Sequence, residues 1–384
     1  MLYTRRYTYI LLYTVQHLVP QKLPLSAVNW ESLIPLIARA NRALAYYDGI
    51  LQGVTNSELL LSPMTTQEAV LSSRIEGTQA TLGDVLNFEA GEGPSEPERK
   101  EDILEIRNYQ RALQLGQEEL KTKPFGLNLL KKLHSVLLDS VRGRNMGRGE
   151  FRTIQNWIGA PGSPIEKAEF IPPAPNRLLE YLDNWEKYYH MERPDHLVQL
   201  AVVHAQFEII HPFLDGNGRV GRMLIPLFLF EKEIISRPLF YLSAYFEAYR
   251  DVYVQRLRNL GQQAEAWNEW IEFFLLAIQE QAAVNSEKAR AMIDLYTEFK
   301  RRILNLTHSQ FAVPLLDHMF AKPVFKSSDF KNMSGMPSYP MVMTLLGQLK
   351  TAGIVKVVRD GSGRRPQILA LPELINLCEG RKVM

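Results

Sequence analysis

The sequence predicts a mainly α-helical protein with a small β-hairpin and a C-terminal α+β module. Three observations carry this. Apolar residues recur at three- and four-residue spacing along most of the chain. Residues 149–160 (GEFRTIQNWIGA) instead alternate polar and apolar between glycines, as a short hairpin does. Beyond about residue 306 the texture shifts to short helices followed by two strands around a turn. The 384 residues allow two or three folding units at roughly 150 residues each.

The elements follow in order. The run TYILLYTVQHLV (8–19) stands after Arg5 and Arg6, as in a signal peptide, but Gln16 and His17 interrupt it and Pro20 and Lys22 end it. No small-residue cleavage site follows, and its 12 residues fall short of the about 20 that span a bilayer. The β-rich start is therefore expected to pack onto a soluble protein, without a membrane partner. Helical spacing covers 29–52, 66–88, 101–120 and 127–141. Between the second and third, EAGEGPSEPERKED (89–102) is acidic, aperiodic and Gly/Pro-containing, which predicts an exposed loop. After the hairpin, the cluster PPAP (172–175) leads into a helix from about Asn176.

A further helix, 195–210, aligns Leu200, Val203, Phe207 and Ile210 and runs straight into HPFLDGNGRVGR (211–222). Helical pattern resumes through about 232 and continues to about 305. Helices near 309–320, 327–333 and 338–352 then precede strands 354–359 and 366–370 about the turn DGSGRR, the order of a winged helix. The division predicted is 1–100, 101–285 and 286–384.

Composition narrows the function classes. Lys+Arg 44 against Asp+Glu 42 gives +2, so any nucleic-acid contact must be local. The one cysteine, Cys378, can neither close an internal disulfide nor build a thiolate zinc site, which favours a reducing, cytoplasmic setting.

HPFLDGNGRVGR carries the chemistry. Gly216, Asn217 and Gly218 allow a tight turn that exposes successive N–H groups to an anion. The helix that follows adds its N-terminal dipole. Arg219 and Arg222, three apart, are expected to project toward the same anion. Asp215 would repel phosphate unless it held a divalent cation, and Mg²⁺ takes one or two carboxylates plus phosphate oxygens. His211, at the end of the preceding helix, could take a proton near pH 7. Taken singly these are a capping His, a common turn and two solvated arginines; together they describe a phosphate site with a base beside it. GxxxxGK[ST] is absent, so it is no Walker loop.

These residues resemble the Fic signature HPFx(D/E)GN(G/K)RxxR at every defined position. HAQFEIIHPF, FRTIQNWIG and SSRIEGT are also Fic-like, and the resemblance covers roughly residues 30–260. It implies a Fic helical core with a β-hairpin flap and, for the GNGR form, transfer of AMP from ATP to a protein hydroxyl. The related Doc type, which phosphorylates, usually carries Lys where this chain has Gly218. By resemblance His211 is the general base on a Tyr, Ser or Thr hydroxyl, and Asp215 holds Mg²⁺ at the α- and β-phosphates. Gly216, Asn217 and Gly218 form the anion hole. Arg219 and Arg222 hold the outer phosphates, Val220 and Gly221 complete the ATP-binding segment, and Phe213 anchors the loop. Thr153 and Gln155 belong to the flap, whose edge could add a target segment as a strand. Tyr249 and Tyr253, in SAYFEAYRDVYVQRL (243–257), are candidates to face adenine, with core packing as the alternative.

TTQEAVLSSRIEGT (65–78) predicts a helix with a Thr65–Glu68 capping box and a Gly77 stop. Glu76 then sits in the last turn, against the dipole, and needs a partner. Ser72, Glu76 and Gly77 satisfy the Fic inhibitory motif (S/T)xxxE(G/N), which implies pairing of Glu76 with Arg222 from a helix at about 65–77 and autoinhibition. The C-terminal module offers Tyr339, Thr344, Gln348 and Lys350 on its longer helix and Arg359, Arg364 and Arg365 in its wing. Residues 327–384 hold 8 Lys+Arg and 4 Asp+Glu, a modest +4 that leaves DNA binding and protein docking or homodimerisation both open. Two alternatives stand beside AMP transfer to another protein or to itself. One is a DNA-binding regulator whose core senses nucleotide; the other is removal of AMP at the same site, with Glu76 positioning water.

Overall fold

A computed structural model describes residues 18–53, 60–139, 146–159, 162–260, 265–331 and 333–384; the N-terminal apolar run up to residue 17 lies outside them. α1 (Trp30–Gln52) begins at Asn29, whose side chain accepts the Ser32 N–H at 3.3 Å. Its apolar stripe, including Leu33, Leu44 and Leu51, is fully buried. The helical pattern predicted over 66–88 is two helices, α2 (Ser62–Ile75) and α3 (Leu82–Glu89). Gly77, at φ +102°, breaks the run, and Thr81 restarts it with a capping box to Asp84.

The capping box expected at Thr65 and Glu68 does not form, because α2 starts three residues earlier, with Pro63 in its first turn. The Thr65 hydroxyl instead meets the Tyr241 hydroxyl at 3.0 Å. Glu68 turns into the core, where it accepts from Tyr109 at 3.0 Å and from the Ser243 hydroxyl at 2.6 Å. With the Ser243 N–H at 3.3 Å as a third, these buried donors hold it better than one surface amide would.

α4 (Pro97–Leu120) starts inside the acidic stretch expected to be loop through 102, and α5 (Leu127–Leu137) follows it. Among the described residues, the hairpin expected within 149–160 is reduced to one bridge, Ile158 to Phe170, so its second arm lies beyond that stretch. The cause is local. The Gln155 amide donates to the Pro172 carbonyl and the Asn156 amide to the Phe213 carbonyl, so side chains serve where a cross-strand backbone partner would. α6 (Leu178–His190), α7 (His196–Ile210) and α8 (Asn217–Glu231) come next, with α7 capped by the Asp195 carboxylate on the Val198 N–H. α7 is buried on nearly every face, the pattern of a central helix.

α9 (Ser243–Ala248) and α10 (Arg250–Asn259) lead into α11 (Ala266–Thr307), a helix of 42 residues that packs along α1. α11 runs unbroken through 285 and 286, where the sequence division was drawn. After it come α12 (Ala312–Ala321), β1 (Val324–Lys326), a 3₁₀ turn at Ser327–Phe330, α13 (Tyr339–Thr351), β2 (Lys356–Arg359), β3 (Ile368–Ala370) and α14 (Pro372–Glu379). The helices and two strands keep the order expected of a winged helix. β1 and α14 are additions: β1 has three residues, too few for alternation to show, and it pairs antiparallel with β3 in the order β1-β3-β2. α12 and α14 pack on α2, and the Ser62 hydroxyl donates to the Ala321 carbonyl at 3.2 Å. No helix among the described residues is long and apolar enough to cross a membrane.

Candidate active site

The site forms where α7 stops. His211 takes φ +49°, a left-handed conformation uncommon for a non-glycine residue, while its N–H still closes onto the Phe207 carbonyl at 2.9 Å. The chain is held in that bend from several sides. The Arg152 guanidinium donates to the His211 carbonyl at 2.9 Å, and the Arg152 N–H donates to the Pro212 carbonyl at 2.9 Å. Asn217 folds back on the loop: its Oδ1 accepts the Phe213 N–H and its Nδ2 donates to the Phe213 carbonyl, each at 2.8 Å. Phe213 is fully buried, as expected, and stacks on His134 with centroids 3.7 Å apart.

His134 was not singled out in the sequence, yet it sits beneath the loop. Its Nδ1 accepts the Gly149 N–H at 2.9 Å, so Nε2–H donates to the Asp215 carbonyl at 3.0 Å. Burial lowers its pKa to about 4, which keeps it neutral in that role. Only its position on the buried face of α5 hinted at it, and that face reads as core.

His211 has a defined tautomer too. Its Nδ1 lies 3.2 Å from the Glu208 carbonyl, which can only accept, so Nδ1 carries the proton and Nε2 keeps its lone pair. Burial lowers its pKa to about 4, so the imidazole is a neutral base at pH 7.

The anion side lies at the start of α8. Gly216, at φ +77°, turns the chain in, and the first amides of α8 have no partner within the helix. Asp215 leans over this turn, its Oδ1 on the Gly216 N–H at 2.6 Å and its Oδ2 3.6 Å from Arg219. The two arginines diverge rather than converging on one anion. Arg219 pairs with Glu105 of α4 at 2.9 Å. Arg222 pairs with Glu76 at 2.6 Å, and Ser72 accepts from it through both hydroxyl and carbonyl. Carboxylates on two different helices pull the two guanidiniums apart.

Glu76 sits at the C-cap of α2, where the motif placed it. Partial desolvation favours the neutral form, but the charge and hydrogen bond of Arg222 outweigh this and hold its pKa below the ordinary value. The Arg222 side chain is 2% exposed and that of Glu76 39%, so the arginine is embedded while the carboxylate stands at the mouth. Gly218 lies directly under the pair: an added Cβ would stand 2.2 Å from Glu76 Oε1. Gly221 is equally constrained, because its Cβ would stand 2.1 Å from Glu208 Oε1, while Val220 is fully buried in the core.

A cavity of about 520 Å³ opens here, lined by His211, Gly218, Arg222, Glu76, Glu208 and Tyr253 among others. Tyr253 lines the cavity but is itself buried and stacked on Phe246, its hydroxyl 3.0 Å from His204 Nε2, while His204 Nδ1–H donates to the Gly221 carbonyl at 3.0 Å. Tyr249 is not among the cavity's lining residues; it is 47% exposed and rests on Tyr245. Of the flap pair, Thr153 is exposed, and the Gln155 amide donates to the Asn156 and Pro172 carbonyls. Of the residues that sequence reading missed, His134, Arg152 and His204 bond to partners far along the chain, and Glu208 packs against Gly221.

A neutral base, the start of a helix and a buried arginine thus meet around one cavity. Residues 34–118 match the Fic/DOC family N-terminal region and residues 124–229 match the Fic/DOC family. The chain is a Fic domain protein. It is 28% identical over 200 residues to a probable protein adenylyltransferase of Aquifex aeolicus, covering 50% of this chain and 57% of that protein. It is 30% identical over 118 residues to the protein adenylyltransferase Fic of Drosophila grimshawi, covering 28% of this chain and 23% of that one. The chain thus spans about half or less of the length of these curated relatives. Among solved structures, a Fic family protein of Desulfovibrio desulfuricans aligns with 91% of this chain and 98% of its own, at a TM-score of 0.57 and 20% identity. Fic-1 of C. elegans aligns with 69% of this chain and 75% of its own, at a TM-score of 0.51 and 17% identity. These two are likenesses of fold.

Proposed function

We propose that this protein transfers AMP from ATP to a Tyr, Ser or Thr hydroxyl of a protein, itself included, and that Glu76 restrains the reaction. The observation that carries this is His211: a neutral imidazole with a free Nε2, held in a left-handed bend at the edge of a cavity that also contains Arg222. The names of the curated relatives support the same reaction. His211 Nε2 takes the hydroxyl proton as the oxygen attacks the α-phosphorus and pyrophosphate leaves. A tyrosine hydroxyl has a pKa near 10, so a base is needed at pH 7. The amides opening α8 and Arg222 stabilise the charge on the phosphates. Arg219 shapes the loop through Glu105 and Asp215, a role different from the direct phosphate grip inferred by resemblance.

Asp215 suits Mg²⁺: one carboxylate with a weakly engaged oxygen, next to where phosphates would complete the coordination. The ion would neutralise phosphate charge when bound. Glu76 occupies Arg222 and lies over Gly218, so phosphates cannot reach either while it stays. Of the three wing arginines, Arg359 is committed to Glu92 and to the Pro366 carbonyl, which takes one cation away from any contact with a DNA backbone. The buried Cys378 suits a cytoplasmic setting.

The test is intact-mass analysis after incubation with Mg²⁺ and ATP. The Glu76→Gly protein should gain the mass of AMP at least severalfold faster than the unaltered chain. Adding His211→Ala should abolish the gain while nucleotide still binds. Normal transfer by the folded His211→Ala protein would overturn the assignment, and an unchanged rate on Glu76→Gly would remove the restraint.

A further inference from the structure

Among the acidic residues lining the cavity, Glu208 is one that the transfer mechanism leaves unused. Glu208 leaves α7 one turn before His211. Its carboxyl fills the notch beside Gly221, where any side chain would collide with it. Its Oε1 is buried and has no hydrogen-bond partner among the described residues. A buried oxygen without a partner, inside a cavity, is ready to bond with whatever the cavity binds. Resting on the nucleotide-transfer reading, we propose that Glu208 is a positioning residue that donates a hydrogen bond, as a neutral acid, to the phosphates held beside Arg222.

The surrounding charges support the neutral form. Arg222 of α8 faces Glu208, but Glu76 from the end of α2 already compensates it. α10 contributes Tyr253 and Arg250 to the cavity, with the Arg250 guanidinium donating to the Ile75 carbonyl at 3.2 Å. Arg258, also on α10, is engaged by Glu169 at the rim. His211, on the same helix as Glu208, is neutral at pH 7. Burial, with the Glu76 charge adding and Arg222 opposing, raises the Glu208 pKa to about 8. Phosphates in place of the Glu76 carboxylate present negative charge to the same group and so keep it protonated. A carboxylate would repel them; the acid can donate.

The consequence is a pH dependence of nucleotide affinity with a defined sign. The protonated protein binds and the ionised one does not, so affinity falls as pH rises through the Glu208 ionisation, with a limit of about tenfold per pH unit for one linked proton. His211 titrates well below this range, and ordinary lysines titrate above it, near 10.4.

The experiment uses the full chain carrying Glu76→Gly. Titration calorimetry measures affinity for a non-transferable ATP analogue with Mg²⁺ from acidic to alkaline pH, because the Arg222 charge lowers the Glu208 ionisation once Glu76 is gone, and thermal transitions confirm folding. The Glu76→Gly protein should lose affinity as pH rises. Adding Glu208→Gln should leave affinity flat and near the low-pH value, because the amide donates but cannot ionise. Adding Glu208→Asp should keep the slope, which serves if the Gln variant fails to fold. The same slope in the Gln variant, or no slope with Glu208 intact, overturns the proposal. If the Glu76→Gly protein shows the slope but never gains AMP from ATP, the transfer reading fails and the role of Glu208 stands.

Discussion

At the scale of the residue, the site depends on imidazoles kept neutral by burial. The pKa values of His134, His204 and His211 are lowered to about 4, about 3 and about 4. Each lies below the roughly 6.5 of an exposed imidazole, so the unfolded chain takes up these protons first as pH falls. Their contribution to stability is therefore complete above about 6.5 and is lost as pH drops through the folded values. The denaturant midpoint should decline steadily below pH 6.5, and a His134→Gln variant should show a shallower decline. A midpoint level from pH 7 to pH 4.5 would contradict this. Catalysis should follow the same sign: transfer by the Glu76→Gly protein should persist well below pH 6.5, because the base is not protonated until about 4. A rate that halves near 6.5 would mean a solvated His211.

At the scale of the element, the 211–217 bend is made by side chains that replace backbone ladders. The motif HPFLDGNGRVGR was legible because its base, acid, glycines and arginines are close in sequence, and local spacing alone brings them near one another. What each does was less legible. Asn217 reads as an anion-site residue, but both ends of its amide are bonded to Phe213, so it shapes the loop. Asn217→Ala leaves a buried N–H without an acceptor and should cost about 1–3 kcal/mol. Urea unfolding should show this as a lower midpoint, and the loss should come with weakened nucleotide binding, since the anion hole loses its frame. An unchanged midpoint would show that the loop holds itself without the amide. Likewise, alternation in 149–160 was a real signal, but Gln155 and Asn156 turned it into a braced loop with a distant second arm.

At the scale of the molecule, α2 carries Glu76 and is packed on two sides. Inward it meets α4 and α9; outward it meets α12 and α14, with the Ser62–Ala321 hydrogen bond. Lys288 of α11 adds a bond to Gln67 at 2.8 Å, and Arg359 ties β2 to Glu92, just past α3. A half-exposed pair of that kind contributes only about 0–1 kcal/mol, but reversing one charge replaces attraction with repulsion at the same seam. Arg359→Glu should therefore loosen the outer support of α2 and raise self-modification by about twofold to fivefold. Adding Glu92→Arg should restore the low rate, and neither change should matter in the Glu76→Gly protein, where there is nothing left to release. Equal effects with and without Glu76 would show that the outer packing does not act through it.

The sequence by itself determined the helical class, the order of α12, α13, β2 and β3, and the HPFLDGNGRVGR loop, because periodicity and short-range spacing act between neighbours along the chain. With the family motif it also matched Glu76 to Arg222 across 146 positions. Only the tertiary structure decided which guanidinium faces the cavity, since the choice rests on Glu105 of α4 against Ser72 and Glu76 of α2. It alone brought Glu68 to Ser243, His134 under Asp215, and Glu208 against Gly221. Those contacts depend on burial and on which faces of distant helices meet, and no pattern local to any one segment contains that information.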